Sequence, residues 1–379
     1  MNPTTLYLHI PYCKQACHYC DFHFSTKRST EPAVLKAMYA ELSLRAQQQP
    51  WKDRTISSLY FGGGTPSVLA LTDLSRLIDE AQSLFSFTPS IEITLEANPD
   101  DITPEKLDAW HSVGITRLSV GLQSFDNDEL KSMNRAHDAS HSEQCLKWIA
   151  ASPINNYSVD FMYGMPGSTI ESWKRQLDQL ATYLPPHVSC YALTVEEKTV
   201  LHHDVESGIT IMPTDEVVVA QFEALRTWAS VHGYDHYELS NFAQPQKYSS
   251  HNSHYWSGQP YLGIGPGAHS FDGKKRWWNV SNNTLYGQGA EVPSEQLSLT
   301  DLLNERLMVR LRTAAGFDWE NDLPQHLEKS LEAMVRESVQ KAESTGRLKC
   351  TRTGFSIPPN QWMQSDAIIA DLFLSTEGN

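Results

Sequence analysis

The chain has 379 residues and 40% hydrophobic content, enough for one large core and a smaller second unit. Its net charge of -15 sets aside general binding to a nucleic-acid phosphate backbone. No apolar run approaches the roughly 18 residues that a membrane-crossing helix needs, and the opening MNPTTLYLHIPYC lacks the basic start and long apolar stretch of a signal peptide, so the expected location is the cytoplasm.

In chain order, β-rich runs are expected at Leu6–Ile10, Ile56–Phe61, Ile91–Glu96, Ile115–Gly121, Tyr157–Met162 and Val188–Thr194. Helix-period stretches lie between them, among them Ala33–Gln48, Thr72–Leu84, Pro104–Val113 and Ile170–Leu184. Repeated βα units predict a parallel sheet, and six of them predict an α/β fold with an open, partial TIM-like (β/α)6 barrel over residues 1–212. Residues 213–298 form an aromatic-rich extension, read as a helix at Asp215–Ser230 followed by strands and wide turns. Residues 299–379 turn helical at Leu299–Arg312 and Lys329–Ser344, then give a hairpin at Arg347–Cys350 and Phe355–Ile357 and a closing helix over 361–373. This is a small α+β, winged-helix-like domain. From Asp301 onward 12 acids stand against 9 bases, a net of -3, which argues against a DNA-reading wing.

Of six cysteines, Cys13, Cys17 and Cys20 crowd directly after the first strand. That is a poor disulfide framework and, in a reduced compartment, a metal site. Three thiolates on one tight loop can each hold one iron of a cubane and leave the fourth iron open to a chelating small molecule. The plain alternatives are a zinc half-site or buried cysteines. A structural zinc wants four ligands, and no second Cys/His pair at that spacing follows. Cys145, Cys190 and Cys350 have no partners at metal spacing and read as core residues.

Polar residues then fall at strand ends, where sites on βα barrels lie. Gly62-Gly63-Gly64-Thr65-Pro66 ends the second strand, Glu96 with Asn98 and Pro99 the third, and Gln123 the fourth; Asp160 lies near the end of the fifth. Singly each has a bland reading: turn glycines, a helix cap, a solvated loop residue.

The spacing C-x-x-x-C-x-x-C with Tyr19 before the last cysteine resembles the motif of radical S-adenosylmethionine (SAM) proteins. The resemblance implies a [4Fe–4S] cluster on Cys13, Cys17 and Cys20, with SAM chelating the open iron, from which an electron can cleave it to a 5′-deoxyadenosyl radical. Over nearly its whole length the chain is similar to the coproporphyrinogen-oxidase-related branch. There Tyr7, Tyr19, Gly63, Gly64, Thr65, Glu96, Gln123, Arg135 and Asp160 correspond to SAM-contacting positions, and Ala192 and His269 also align. On this reading Gly63 and Gly64 let the backbone approach the methionyl amine, Glu96 and Asp160 accept hydrogen bonds, and Arg135 pairs with a carboxylate. Considered alone, Arg135 reads equally well as a surface arginine at a helix end.

Within this branch the chain resembles the haem-chaperone (HemW) group more than the oxygen-independent coproporphyrinogen III dehydrogenase. The dehydrogenase motif has a further cysteine two residues after the third ligand, where this chain has Phe22, and a long extension before the cluster, where this chain has twelve residues before Cys13. His251-Asn252-Ser253-His254-Tyr255-Trp256 matches the chaperones' H-N-x-x-Y-W motif. The resemblance implies haem binding with His251 on the iron, His254 in reserve and aromatics over the porphyrin faces, haem-donor or haem-acceptor proteins as partners, transient membrane contact, and a monomer or cluster-dependent homodimer. It implies no dehydrogenase activity and no nucleic-acid partner. Without it, both histidines read as packing residues of an aromatic-rich strand. A plain electron-transfer iron–sulfur protein would want a fourth clustered thiolate and would leave the Gly/Glu/Gln/Asp series without a purpose.

Overall fold

The computed structural model describes residues 3–375. Six parallel strands alternate with helices: β1 (Thr4–Ile10), α1 (Glu31–Ala46), β2 (Thr55–Gly63), α2 (Leu71–Leu84), β3 (Ser86–Ala97), α3 (Pro104–Ser112), β4 (Arg117–Gln123), α4 (Asn127–Ser132), α5 (Ala139–Ala150), β5 (Tyr157–Tyr163), α6 (Ile170–Ala181) and β6 (His187–Ala192). Parallel strands buried on both faces usually read as continuous apolar runs, but these alternate. Leu59 pairs with Ile93, Leu95 with Leu118, Val120 with Val159 and Phe161 with Cys190, all on the face under the helices. The opposite face carries Tyr60, Glu96, Ser119, Asp160 and Ser189, which line an interior cavity. A period of two thus separates core from lumen.

The aromatic-rich stretch supplies both edges of this sheet. After α7 (Val200–Glu206) and α8 (Asp215–Val231), β7 (Asp235–Glu238) and β8 (Asn241–Ala243) join antiparallel beside β6. The chain then passes through α9 (Ser250–Trp256) to β9 (Tyr261–Ile264), which pairs parallel with β1, and to β10 (His269–Phe271) and β11 (Lys275–Trp278). A short α10 (Asn283–Gly287) leads to β12 (Ser294–Gln296) at the edge of a 12-stranded sheet. The ladder does not close on itself: β12 and β7 are its two ends.

The H-N-x-x-Y-W segment corrects the expectation of strands and turns: it is the helix α9. The Ser249 side chain caps it by accepting from the Asn252 N–H, and the buried Glu92 carboxylate accepts from the Ser250 and His251 N–H groups at 3.0 and 3.3 Å. A tertiary carboxylate satisfies the first-turn donors and overrides the β leaning of the aromatics.

Beyond it come α11 (Leu299–Arg310), β13 (Phe317–Asp318), α12 (Lys329–Ser344), β14 (Lys349–Cys350), β15 (Gly354–Ser356) and α13 (Ser365–Ala370). The three short strands make a separate antiparallel sheet in the order β13-β15-β14. The closing helix expected over 361–373 is shorter: a 3-10 turn at Pro359–Gln364, then α13. Trp362 in that turn donates to the Ile357 carbonyl at 2.8 Å and packs edge-on against His236 of β7, tying this unit to the sheet.

Phe161 is fully buried between Phe125 and Trp173, whereas Phe22 is 69% exposed. Phe161→Ala should cost about 3–5 kcal/mol of stability and lower the melting temperature, while Phe22→Ala should leave it unchanged.

Candidate cofactor cavity

The cysteine loop is fastened at its base and at its tip. At the base, Gly64 N–H donates to the Ile10 carbonyl at 2.9 Å and Thr65 N–H to the Tyr12 carbonyl at 2.7 Å, and Ser25 N–H closes the loop on the Pro11 carbonyl at 2.8 Å. At the tip, His18 N–H reaches the Met133 carbonyl at 3.1 Å, Gln15 Nε2 reaches Asn134 Oδ1 at 2.6 Å, and Leu201 N–H of α7 reaches the His18 carbonyl at 2.9 Å. Close approach explains two of the strand-end glycines. A Cβ on Gly64 would lie 2.8 Å from the Tyr12 backbone, and one on Gly63, at φ +112°, would lie 2.5 Å from the His9 ring.

Cys13, Cys17 and Cys20 carry free thiols and line one cavity with Gly63, Gly64 and Thr65. Among the described residues no three His, Cys, Asp or Glu side chains are grouped to hold a single metal ion. A cubane asks for something else, one thiolate at each of three irons around a shared space, and the donor set fits that demand. Thr65 Oγ1 donates to Cys13 Sγ at 3.4 Å and Arg135 Nη1 to Cys17 Sγ at 3.3 Å. Burial pushes the Cys13 and Cys20 thiols up to about 11, so iron binding must displace their protons.

Arg135 is not a surface residue. Nη2 donates to Asn98 Oδ1 at 2.7 Å and to the Gly121 carbonyl at 2.6 Å, and Nη1 also reaches the Tyr19 hydroxyl at 3.4 Å. With both terminal nitrogens engaged in this way, its geometry is that of a half-buried cation beside the thiolates rather than a free carboxylate clamp. Asn98 in turn donates to Thr65 Oγ1 at 3.3 Å, linking the two sulfur donors.

The other predicted positions converge on the same space with two exceptions. Glu96 accepts from the Tyr60 hydroxyl at 2.8 Å and from Gly63 N–H at 3.1 Å, and burial pushes its carboxyl up to about 7. Asp160 accepts from Ser119 Oγ at 3.4 Å and is pushed by burial up to about 6. Gln123, at φ +68°, accepts from the Tyr191 hydroxyl at 3.3 Å, and Ala192 lines the deeper part of the lumen. Tyr7 is held by His9 Nδ1 at 3.1 Å and lies next to Tyr60. His269 stands on β10, stacked 6.1 Å from Trp278, and lines neither part of the cavity; Tyr7 is behind its wall.

Below the cysteines the lumen widens to a cavity of about 490 Å³, with Arg117, Ser158, Ser189 and Asn252 in its wall. Sequence reasoning passed over Arg117 and Tyr60. Their signal was parity: both keep the inward register of Glu96 and Asp160, two residues apart along each strand.

The side chains of α9 point three ways. Asn252 faces the lumen. His251 is 2% exposed; Nδ1 shares a hydrogen with Ser58 Oγ at 2.8 Å, the ring stacks on Tyr60 at 4.7 Å, and Nε2 has no partner among the described residues. Burial lowers the His251 imidazole to about 3, which keeps it neutral. His254 Nε2 is taken by the Pro260 carbonyl at 2.8 Å. Tyr255 and Trp256 line a separate cavity of about 170 Å³ with Tyr261, Phe271, Arg276 and Arg306. Tyr255, one turn on from His251, meets its ring edge-on with centroids 4.9 Å apart, so of the motif's two aromatics only Tyr255 packs against the imidazole.

The Radical SAM superfamily model matches residues 7–180. This chain belongs to that superfamily, in the branch that holds the HemW relatives. It is 34% identical over 325 residues to the haem chaperone HemW of Mycobacterium tuberculosis, covering 83% of both chains. To the haem chaperone HemW of Lactococcus lactis it is 29% identical over 369 residues, covering 95% of this chain and 96% of that one. Among solved structures, the coproporphyrinogen III oxidase HemN of Escherichia coli superposes with a TM-score of 0.83 at 22% identity, covering 98% of this chain and 90% of that one, and so shares the fold. Membership implies a [4Fe–4S] cluster and SAM.

Two outcomes follow from the geometry. Cys13→Ala, Cys17→Ala or Cys20→Ala should each abolish iron and sulfide content, while Cys145→Ala, on a fully buried thiol of α5, should retain it; full iron in Cys17→Ala would refute the ligand set. The folded Glu96 value lies above the unfolded one, so the contribution of its protonated form to stability is complete below about pH 4.5 and is lost as pH rises through 7. Glu96→Gln should therefore raise the melting temperature at pH 8 and change it little at pH 4.5, while weakening SAM binding by about 1.5–3 kcal/mol in calorimetry at pH 8.

Proposed function

We propose that this chain is a haem chaperone: it binds haem and delivers it to acceptor proteins, and carries a [4Fe–4S] cluster and SAM to do so. The observation that carries the reading is the match to HemW relatives over as much as 95% of the chain. Phe22 in place of a further cysteine supports it against the dehydrogenase.

In this reading Cys13, Cys17 and Cys20 hold the cluster, and Thr65 and Arg135 donate to two of the sulfurs and stabilise them as thiolates. When bound, the cluster would supply an open iron for SAM to chelate. Glu96 and Asp160 would accept hydrogen bonds from SAM in a space bordered by Tyr19, Gly63, Gly64, Gln123 and Ala192, while Tyr7 and His269 lie outside that space. Burial raises both carboxyls, and a cationic or hydroxyl-bearing ligand draws them back towards the ionised form.

His251 is the axial ligand of the haem iron. The bond from Nδ1 to Ser58 leaves Nε2 as the nitrogen available to iron. Because the ring is buried, haem reaches it only as α9 moves off Tyr60. The setting is cytoplasmic; among the described residues no helix is long and apolar enough to cross a membrane.

Haem titration of the anaerobically reconstituted chain tests this reading. A Soret band should appear at saturable stoichiometry, and His251→Ala should shift or erase it. His18→Ala, beside the cluster, should leave it intact. Binding unchanged in His251→Ala would remove His251 as the ligand, and no binding at all would remove the chaperone.

A further inference from the structure

His251 and the SAM cavity are closer than the motif suggests. The imidazole stacks on Tyr60 with ring centroids 4.7 Å apart and planes 29° apart. The Tyr60 hydroxyl donates to Glu96 Oε1 at 2.8 Å, and Glu96 Oε2 accepts from Gly63 N–H at 3.1 Å, at the point where the cysteine loop is fastened. Tyr7 closes the group, its ring centroid 6.0 Å from Tyr60 and 6.4 Å from His251. There is no slack in it: a Cβ on Gly62 would lie 2.8–2.9 Å from Tyr60, Glu96 and Tyr7 at once. Beneath, Ser58 and the α9 N-terminus, bonded to Glu92, fix the imidazole from the other side.

We infer that His251 is a positioning residue for the SAM site, holding Glu96 in place through Tyr60, so that occupancy of α9 by haem and occupancy of the cavity by SAM are thermodynamically coupled. A chain of one stack and one hydrogen bond has two arrangements. With the ring on Tyr60, the Tyr60 hydroxyl is aimed at Glu96 and one carboxylate oxygen is fixed. With the ring withdrawn to meet an iron, Tyr60 loses its packing partner and Glu96 its orienting donor. Each ligand then prefers a different arrangement, and linkage requires that each weaken the other by the same factor. The haem half of this inference rests on the chaperone reading; the positioning half does not.

The test is calorimetric titration of SAM into the anaerobically reconstituted full chain, with iron content and melting temperature as controls. His251→Ala should weaken SAM binding about tenfold without haem present, within the usual range for coupled sites. Tyr60→Phe should do the same, and the double variant should be no weaker than the weaker single one, because both break one chain. His251→Phe keeps a ring on Tyr60 and should restore SAM affinity while remaining unable to ligate iron. Fe(III)-protoporphyrin IX should weaken SAM binding to the unaltered chain and lose that effect in Tyr60→Phe. Unchanged SAM affinity in a folded, cluster-loaded His251→Ala overturns the inference; should that variant fail to fold, unchanged affinity in Tyr60→Phe does so. If the porphyrin fails to bind the unaltered chain, the chaperone reading falls and the haem-free comparison still decides the positioning role.

Discussion

The site depends on two backbone hydrogen bonds, from Gly64 to the Ile10 carbonyl and from Thr65 to the Tyr12 carbonyl. They fasten the cysteine loop, which leaves β1, to the turn that ends β2. Because the backbones lie that close, residue 64 has no room for a side chain, and residue 63 adopts a conformation in which a Cβ would strike His9. The same turn brings Thr65 to Cys13, and through Asn98 and Arg135 the contact extends to Cys17. The three thiols are thus positioned by neighbouring strand ends as much as by their own loop, and the cluster site is a property of the sheet.

The second constraint is a polar lumen inside a protein that must still bury an apolar core. Alternation along each parallel strand meets both demands, with Leu, Val, Ile and Phe under the helices and Tyr, Glu, Ser, Arg and Asp inside. The cost is electrostatic. Glu96 and Asp160 are raised by desolvation, Arg117 is a buried cation and Arg135 a half-buried one. Such groups destabilise a folded chain unless something uses them, and their concentration around one cavity marks it as functional. The α9 helix belongs to this arrangement, since its first turn satisfies Glu92 at the foot of the lumen and its histidine supports Tyr60.

The six parallel strands and helices α1, α2, α3 and α6 between them were legible because their apolar periods are local properties of sequence, and the cysteine triad because its spacing is. Lys329–Ser344 is a helix over the very span its periodicity predicts. Between Gln123 and Tyr157 the sequence reading named no helix, although Asp126 and Asp138 cap α4 and α5 there. The reading of residues 250–256 as strand failed for a non-local reason: Glu92, more than 150 positions earlier, stabilises the first turn. Arg135 looked equally like a surface residue because its partners come from three separate segments, the cysteine loop, the turn after β3 and β4. The inward face of the strands was readable in principle, since Tyr60 and Arg117 share the parity of Glu96, but parity tells which face a residue takes and not what it touches.

The chain joins a radical SAM scaffold to a motif helix whose histidine is buried, and the chaperone reading requires this scaffold to carry haem instead of processing a porphyrinogen. The most direct test gives one reconstituted sample SAM, reductant and coproporphyrinogen III, follows vinyl formation by porphyrin chromatography, and titrates haem into a parallel aliquot. Stoichiometric haem binding and no decarboxylated product are the expected result for a chaperone. Steady decarboxylation, with haem bound weakly or not at all, would contradict it.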